Sequence, residues 1–374
     1  MCHRRGIALI IVLAIVAILS VLVLEFSYSV WVDLYLSANY DVRTQALYAA
    51  KAGVEYAIYV LRRDENVQVD WLGEEWARPI ELKIGELVPP RDPEGDDYEY
   101  EELIERQGPV HGERRDGGTA KVLIVDEDRK IPLGMLAARR AGRRELCAAA
   151  LERLIEELNV PGAMFSAVEI VEQMKDWVDN DEIGAWEYVY ETLPDPYLPA
   201  NRPFDTVHEL RLLADMTDTL LYGTVPYPEI EPGYGTEEQT DWWQNEKPLG
   251  QDDSYGLVNF VHAQEVQRIN PNTAPREVLV ACFDGQELVA DEIMEYRREK
   301  PFANWDRELW PVIQSVAGDD PELEKVGGWV QFKSQFFRIT SIGEYRDVKV
   351  KVTAIVLWNK RDVTVQYYRV ENVE

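Results

Sequence analysis

Several common kinds of active site are missing from this chain. Its four histidines, His3, His111, His208 and His262, are scattered, with no zinc-ligand spacing among them. There is no glycine-rich phosphate loop. Carboxylate pairs are so frequent that no single pair stands out as a general acid and base. No catalytic set emerges, and the chain is read as a non-enzyme. Basic residues are also short: Lys and Arg number 39 against 68 Asp and Glu, a formal charge of -29. Such a surface repels nucleic-acid phosphates, so no nucleic-acid partner is expected, and it favours solubility and cation binding. Solvation of an exported domain explains the same charge. Cysteine is scarce, with only Cys2, Cys147 and Cys282. The last two lie on expected helix faces among apolar neighbours, where free buried thiols are common, although pairing is open to them. Proline is absent from Met1 through Arg78, so nothing breaks a helix across that stretch.

What is present begins at the N-terminus. Arg4-Arg5-Gly6 precedes an apolar run from Ile7 to Leu24 in which Ser20 is the one polar residue. A charge-free run of about 18 residues spans most of a bilayer as a helix, the form lipid imposes. The arginines keep the N-terminal side in the cytoplasm, and everything after Leu24 is expected on the far side. Three readings compete. A cleaved secretory signal needs small residues after the apolar core, and Glu25-Phe26-Ser27-Tyr28 offers none. A plain signal anchor needs only the run itself. A leader cut before the apolar run fits the charged hexapeptide ending in Gly6, with cleavage between Gly6 and Ile7. Helical spacing continues beyond the run through Val42, Ala46, Ala49, Ala50, Gly53, Val54, Ala57, Ile58 and Leu61, which predicts one helix over 7–62, amphipathic in its second half.

Further along, Arg78 to Ile84 and Thr119 to Val125 read as strands, as do Phe336 to Glu344, Val348 to Trp358 and Val363 to Val370. The acidic, proline-containing stretch 89–97 reads as a solvated loop. Between the strands the chain is mostly helical. One helix carries Leu146, Ala149, Ala150, Leu154 and Ile155, and a second carries Val168, Ile170, Val171 and Met174 up to Trp177. Thr206 and Glu209 have capping-box spacing. Thr273 is expected to cap a helix with Pro275 in its first turn, followed by a turn at Asp284-Gly285 and a helix from Glu287 to Glu299. The pair spanning 269–302 is similar to a helix-hairpin-helix DNA-binding module, which makes a membrane-anchored periplasmic DNA-binding protein the alternative reading. That function needs backbone N–H groups free to reach a phosphate. A turn with one glycine beside Asp284 serves it poorly, and a structural helix pair is the stronger reading. In the loop after Trp177, Asp179, Asp181 and Glu187 offer hard oxygen ligands of the kind calcium takes, without EF-hand order. Helix capping and solvated charge account for the same residues.

The leader, Ala46-Leu47-Tyr48-Ala49-Ala50-Lys51-Ala52-Gly53-Val54-Glu55, Asp176-Trp177-Val178-Asp179-Asn180-Asp181, Asn201-Arg202-Pro203-Phe204, His208-Glu209-Leu210 and Ile269-Asn270-Pro271-Asn272-Thr273-Ala274 together resemble the K-type minor pseudopilins of type II secretion. Most prepilins carry glutamate at the fifth mature position. Counting from Ile7 that position is Ile11, and the K type is the pseudopilin that lacks the glutamate. Where family members often read Leu-Asn-Leu-Asn, this chain has Ile131-Pro132-Leu133-Gly134, so that turn is expected to be built differently. The resemblance implies an α+β pseudopilin fold, a long N-terminal helix packed on a small antiparallel sheet with a large helical insertion. The expected division is leader 1–6, helix 7–62 (transmembrane to about 25), first part of the α/β domain 63–131, inserted helical domain 132–330 and closing strands 331–374. It further implies cleavage by prepilin peptidase with methylation of the Ile7 amine, and a single-pass inner-membrane location with the C-terminal part in the periplasm. Expected partners are the I-type and J-type minor pseudopilins and other pseudopilins, at the tip of a pseudopilus. It also implies structural calcium in the helical domain, with Asp179, Asp181 and Glu187 as the candidate ligands.

Overall fold

The computed structural model describes residues 3–64, 66, 68–84, 118–158, 160, 166–180, 184–228, 253–264, 268–359 and 362–373. The acidic stretch 89–97 lies outside the described residues. Helix α1, His3–Arg62, runs 60 residues without interruption, and its N-terminal part is long and apolar enough to cross a membrane. From Ala46 onward it packs on a sheet. Ala46, Ala49, Ala50, Val54, Ala57, Ile58 and Leu61 are buried, one stripe at helical spacing.

The sheet has strand order β1-β2-β5-β6-β7 and is antiparallel throughout. Its strands are β1 Ile80–Lys83, β2 Thr119–Asp126, β5 Phe336–Tyr345, β6 Val348–Asn359 and β7 Asp362–Val373. The helix and sheet meet over small residues. A Cβ on Gly343 would lie 2.2 Å from the Ala46 carbonyl oxygen and 2.3 Å from the Ala50 nitrogen. Glycine there lets the strand backbone touch the helix backbone. Gly53 makes the reciprocal approach from α1, toward the Val122 and Ala120 side chains.

The chain leaves the sheet at the end of β2 and returns at β5, and the helical block lies between them. Strands β3 (Ile131–Pro132) and β4 (Val261–His262) form a short parallel pair, and a 3-10 turn over Leu133–Ala137 follows β3. Helix α2 spans Ala141–Glu157 and buries Cys147, Ala148, Ala150, Leu151, Leu154 and Ile155, with Leu146 at the margin of the core. Helix α3, Ala167–Val178, starts on a Ser166–Glu169 capping box. Then come α4 Glu187–Glu191, a 3-10 helix Val207–Leu212 and α5 Asp218–Tyr222. The Thr206–Glu209 capping box forms as spacing suggested, on a 3-10 rather than an α-helix. Helices α6 Arg276–Cys282 and α7 Glu287–Glu299 are joined through Asp284 (φ 61) and Gly285 (φ 74). Helices α8 Trp310–Ala317 and α9 Pro321–Lys325 complete the block. Cys147 and Cys282 are free and buried, and burial pushes both thiols up. One expectation fails: Thr273 does not cap α6, whose cap position is Pro275. Its hydroxyl is committed elsewhere, donating to Asp126 at 2.6 Å.

Candidate functional site

The acidic loop follows α3. Asp179 occupies the C-cap of that helix, half-buried, with its N–H donating to the Lys175 carbonyl. Asp181 and the side chain of Glu187 lie outside the described residues, so of the three candidate ligands only Asp179 is placed. Asp176, one turn earlier, is already engaged, accepting from the Trp186 N–H at 2.8 Å. Beneath the loop sits an aromatic floor. Trp177 stacks on Phe204 at 6.3 Å and meets Tyr190 edge-on at 5.7 Å, and Tyr190 in turn touches Tyr197 at 5.4 Å. Gln173 and Asp215 exchange two hydrogen bonds, of 2.5 and 3.1 Å. Beside this aromatic cluster Asp179 offers a hard oxygen donor of the kind calcium takes.

A second polar centre lies where the helical block joins the sheet, and the sequence reading missed it. The last residue of β2, Asp126, is buried. Its carboxylate accepts from the hydroxyls of Thr273 and Ser334, both at 2.6 Å, from the Asp128 N–H at 2.8 Å, and from the Asn270 amide at 3.3 Å. Asn270 donates besides to the Asp70 carbonyl and the Ser334 hydroxyl, both at 2.9 Å. Asp128 accepts from the Gln335 N–H at 2.7 Å and the Gln331 amide at 2.8 Å. Burial raises the Asp126 and Asp128 carboxyls, against the pull of these donors. Glu127 points to a different pair. Burial would raise it, but Lys130 (2.9 Å) and Arg338 (2.6 Å) outweigh that and hold it well below the usual carboxylate range. Nearby, burial pushes the His262 imidazole down to about 4. Asn272 exchanges two 2.8 Å bonds with the backbone of Phe302, and the buried Arg297 guanidinium donates to the carbonyls of Pro271 and Ala274, both at 2.7 Å. The Asn-Pro-Asn-Thr segment is therefore a structural knot.

Beside this knot, among the described residues, Asp64, Asp70 and Glu74 bring carboxylate oxygens within 4.8 Å of one another. A cation is already built in. The Lys333 ammonium donates to Asp70 at 2.7 Å, Asp64 at 2.9 Å and the Asn66 carbonyl at 2.8 Å, and lies 4.3 Å over the Trp358 ring. Burial opposes its charge, but Asp70 and Asp64 outweigh burial and raise it. Burial pushes Asp70 up, to about 8, against Lys333 and the Ser334 N–H.

The α6–α7 hairpin is not shaped for phosphate. The Gly285 N–H donates to Val280 at 2.8 Å and the Gln286 N–H to Phe283 at 3.1 Å. Arg153 pairs with Asp284 and donates to the Ala281 carbonyl at 3.2 Å. The donors that would hold a phosphate are spent inside the fold, and an acid stands beside them. At the other end of the molecule, Gly6 and Ile7 fall within α1, and their side chains lie outside the described residues.

Comparison with known proteins agrees with this architecture. Residues 130–228 match the family described as type II secretion system protein K, and residues 5–55 match the PilX N-terminal family. The chain is 26% identical over 317 residues to type II secretion system protein K of Pseudomonas aeruginosa, covering 81% of this chain and 75% of that one. It is 37% identical over 79 residues to the protein K of Klebsiella pneumoniae, covering 20% and 24%. The protein K of Aeromonas hydrophila is 25% identical over 235 residues, covering 60% and 63%. Among solved structures, a chain of the GspK-GspI-GspJ complex from the type 2 secretion system of enterotoxigenic Escherichia coli superposes with a TM-score of 0.59 at 16% identity. That match covers 90% of this chain and 99% of the other, and shows a shared fold.

Proposed function

The chain belongs to the protein K family of type II secretion systems, and on that premise we propose that it is the minor pseudopilin that caps a pseudopilus. The observation that carries this is the joining of two parts in one chain. A pilin-type helix and sheet anchor it, and a helical block matching protein K interrupts the sheet between β2 and β5. Such a block is too bulky to repeat along a tight fibre but can sit at its end. Ile11 stands where most prepilins place a glutamate that pairs with a neighbour's terminal amine. A subunit with nothing above it needs no such charge, which would be costly to bury alone.

The partners follow from the solved relative, which occurs with GspI and GspJ: this chain binds an I-type and a J-type pseudopilin. Prepilin peptidase cuts it between Gly6 and Ile7, the inner membrane holds the first part of α1, to about residue 25, and the remainder lies in the periplasm. Calcium is part of the same proposal, held in the helical block by Asp179 with Asp181 and Glu187. There its charge would neutralise a cluster of hard carboxylates and fix the loop over its aromatic floor. The test is co-expression of the full-length chain with I-type and J-type pseudopilins, solubilised in detergent. A stable ternary complex with a mature N-terminus at Ile7 is expected. Gly6→Val should leave the precursor uncut. A mature chain starting well beyond Leu24, or no complex with either partner, refutes the reading.

A further inference from the structure

Helix α1 is apolar to Leu24, and its buried stripe on the sheet begins at Ala46. The stretch between them is nearly uncharged: from Phe26 to Tyr40 the one charged residue is Asp33. Exposed apolar surface of this extent marks an interaction site. The tryptophan and tyrosines in it are not scattered. Tyr28, Trp31 and Tyr35 are spaced three and four residues apart and share one face. They are 68%, 61% and 57% exposed, and the Trp31 and Tyr35 rings stack at 5.7 Å. At about 100° per residue, Asp33 lies about 140° or more around the helix from each of them. Phe26, Val30 and Leu34, which have no polar tip, fall outside this face.

The face has a definite relation to the rest of the molecule. Tyr28 and Ala46, Trp31 and Ala49, and Tyr35 and Gly53 are each 18 residues apart, five turns of 3.6 residues. Ala46 and Ala49 are buried against the sheet, and Gly53 approaches Val122 and Ala120. The aromatic face therefore lies on the side of α1 that carries the sheet, below it along the helix. No described part of the chain covers it.

Depth along α1 identifies what does. The run Ile7–Leu24 rises about 27 Å, and a hydrocarbon layer is about 30 Å thick, so its far edge falls near Phe26. The headgroup layer adds about 5–8 Å on that side. Tyr28 and Trp31 stand about 3 and 8 Å above Phe26, within that layer. Helical side chains lean back over the preceding turn, here toward the membrane, and the Tyr35 ring accordingly rests on Trp31. Tryptophan and tyrosine concentrate at this level because the ring sits among apolar groups while its N–H or O–H reaches headgroups and water. We propose that Tyr28, Trp31 and Tyr35 form a phospholipid-binding anchor in the periplasmic headgroup layer. Interfacial aromatic anchors set the rotation and lean of a spanning helix. This one lies on a single face, so it inclines α1 toward its sheet. The inference rests on the membrane anchoring proposed above and adds a lipid site to it.

The test is spin-label accessibility in the full-length chain, carrying Cys2→Ala, Cys147→Ala and Cys282→Ala and reconstituted alone and sparsely in vesicles of phosphatidylethanolamine and phosphatidylglycerol. A nitroxide is placed at Tyr28, Trp31 or Tyr35, and at Val30, Asp33 or Ser37, each two residues further on and about 160° around the helix. Collisions with oxygen and with a water-soluble nickel chelate give its depth, and a label at Val16 reports the span. The oxygen-to-nickel ratio should be several-fold higher at 28, 31 and 35 than at the paired sites, so that 35 lies deeper than 33. Trp31→Ser with Tyr35→Ser should remove most of the difference between 28 and 30. Equal ratios within each pair, or ratios falling steadily with residue number, would overturn the inference and leave the anchoring standing. A face that is aqueous in these vesicles and becomes shielded only when I-type and J-type pseudopilins are added would be a protein surface, and would also overturn it. An aqueous label at Val16 would overturn the membrane anchoring and the inference together.

Discussion

Gly343→Ala isolates the contact on which the pilin half depends. The added methyl would sit 2.2 Å from the Ala46 oxygen, 2.3 Å from the Ala50 nitrogen and 2.9 Å from the Ala50 Cα. All three belong to the backbone of α1, so no rotamer change relieves the clash. The helix must lift by about 1 Å, and a gap of that size forfeits roughly a quarter to a half of each dispersion contact beneath it. Overpacking of this kind costs about 1–3 kcal/mol. At about 2–4 °C per kcal/mol for a domain of this size, melting falls by roughly 2–12 °C. Gly53→Ala provides the contrast. Its nearest obstacles are side-chain atoms, the Ser341 hydroxyl and a Val122 methyl, so Ser341→Ala should recover part of its loss. No side-chain change should recover Gly343→Ala. Differential scanning fluorimetry of the detergent-solubilised chain reads the parent and these three variants, Gly343→Ala, Gly53→Ala and Gly53→Ala with Ser341→Ala. A Gly343→Ala protein that melts with the parent would show that α1 does not press on β5 as described, and the close-packing argument would fail.

Asn270→Ala should cost about 3 kcal/mol or more, because it strips buried partners from Asp126, Ser334 and the Asp70 carbonyl at once; a loss under about 1 kcal/mol in chemical denaturation would contradict the knot. Stability should also fall as pH rises from 6.5 to 8. The Asp70 carboxyl, raised to about 8, binds more protons folded than unfolded in that window, so its contribution is lost as it ionises. His262, with its folded value near 4 against an ordinary 6.5, has the opposite slope but only below 6.5, so it does not mask the decline. Asp70→Asn should flatten the melting-temperature profile across that window, and an unchanged slope would count against the assignment. A calcium chelator should lower the melting temperature, since a ligand that binds only the folded state stabilises it. Asp179→Ala with Asp181→Ala should erase the difference, and identical parent curves with and without chelator would argue against a structural ion.

The helix and the strands were legible because their periodicities are strong. The Ala46–Leu61 stripe has a helical period, and the alternation in β6 is nearly unbroken. Turn chemistry was equally plain at Asp284-Gly285 and at the Thr206–Glu209 box. The polar knot was not. Asp126-Glu127-Asp128-Arg129 reads as a solvated charge run in a chain of -29, and its burial depends on Ser334 and Asn270, 208 and 144 residues away. Thr273 misled for the same reason, since local spacing offered a cap while a distant carboxylate took the hydroxyl. The available signal was a run of five charged residues, Asp126–Lys130, set directly between the apolar runs Val122–Val125 and Ile131–Leu133. Such charges are cheap in a loop but enter a core only when fully paired.

That knot sits at the two points where the helical block meets the sheet, and this has a mechanical consequence. Asp126 is where the chain leaves β2, and Ser334 and Gln335 are where it returns to β5. The carboxylates of Asp126 and Asp128 bind both return residues, while Thr273 and Asn270 tie the interior of the block to the same oxygens. Lys333 extends the tie to Asp64 and Asp70, just beyond the end of α1. An insertion held only by two peptide strands would swivel. One whose exit, return and interior share buried carboxylates is fixed to the helix that carries it. A subunit anchored through α1 and presenting its block at the end of a fibre requires that stiffness, because any movement of the fibre reaches the block through this junction. Buried acids are a costly way to build a core. Here they act as multivalent acceptors at a place where four chain segments converge, which an apolar side chain could fill but could not orient.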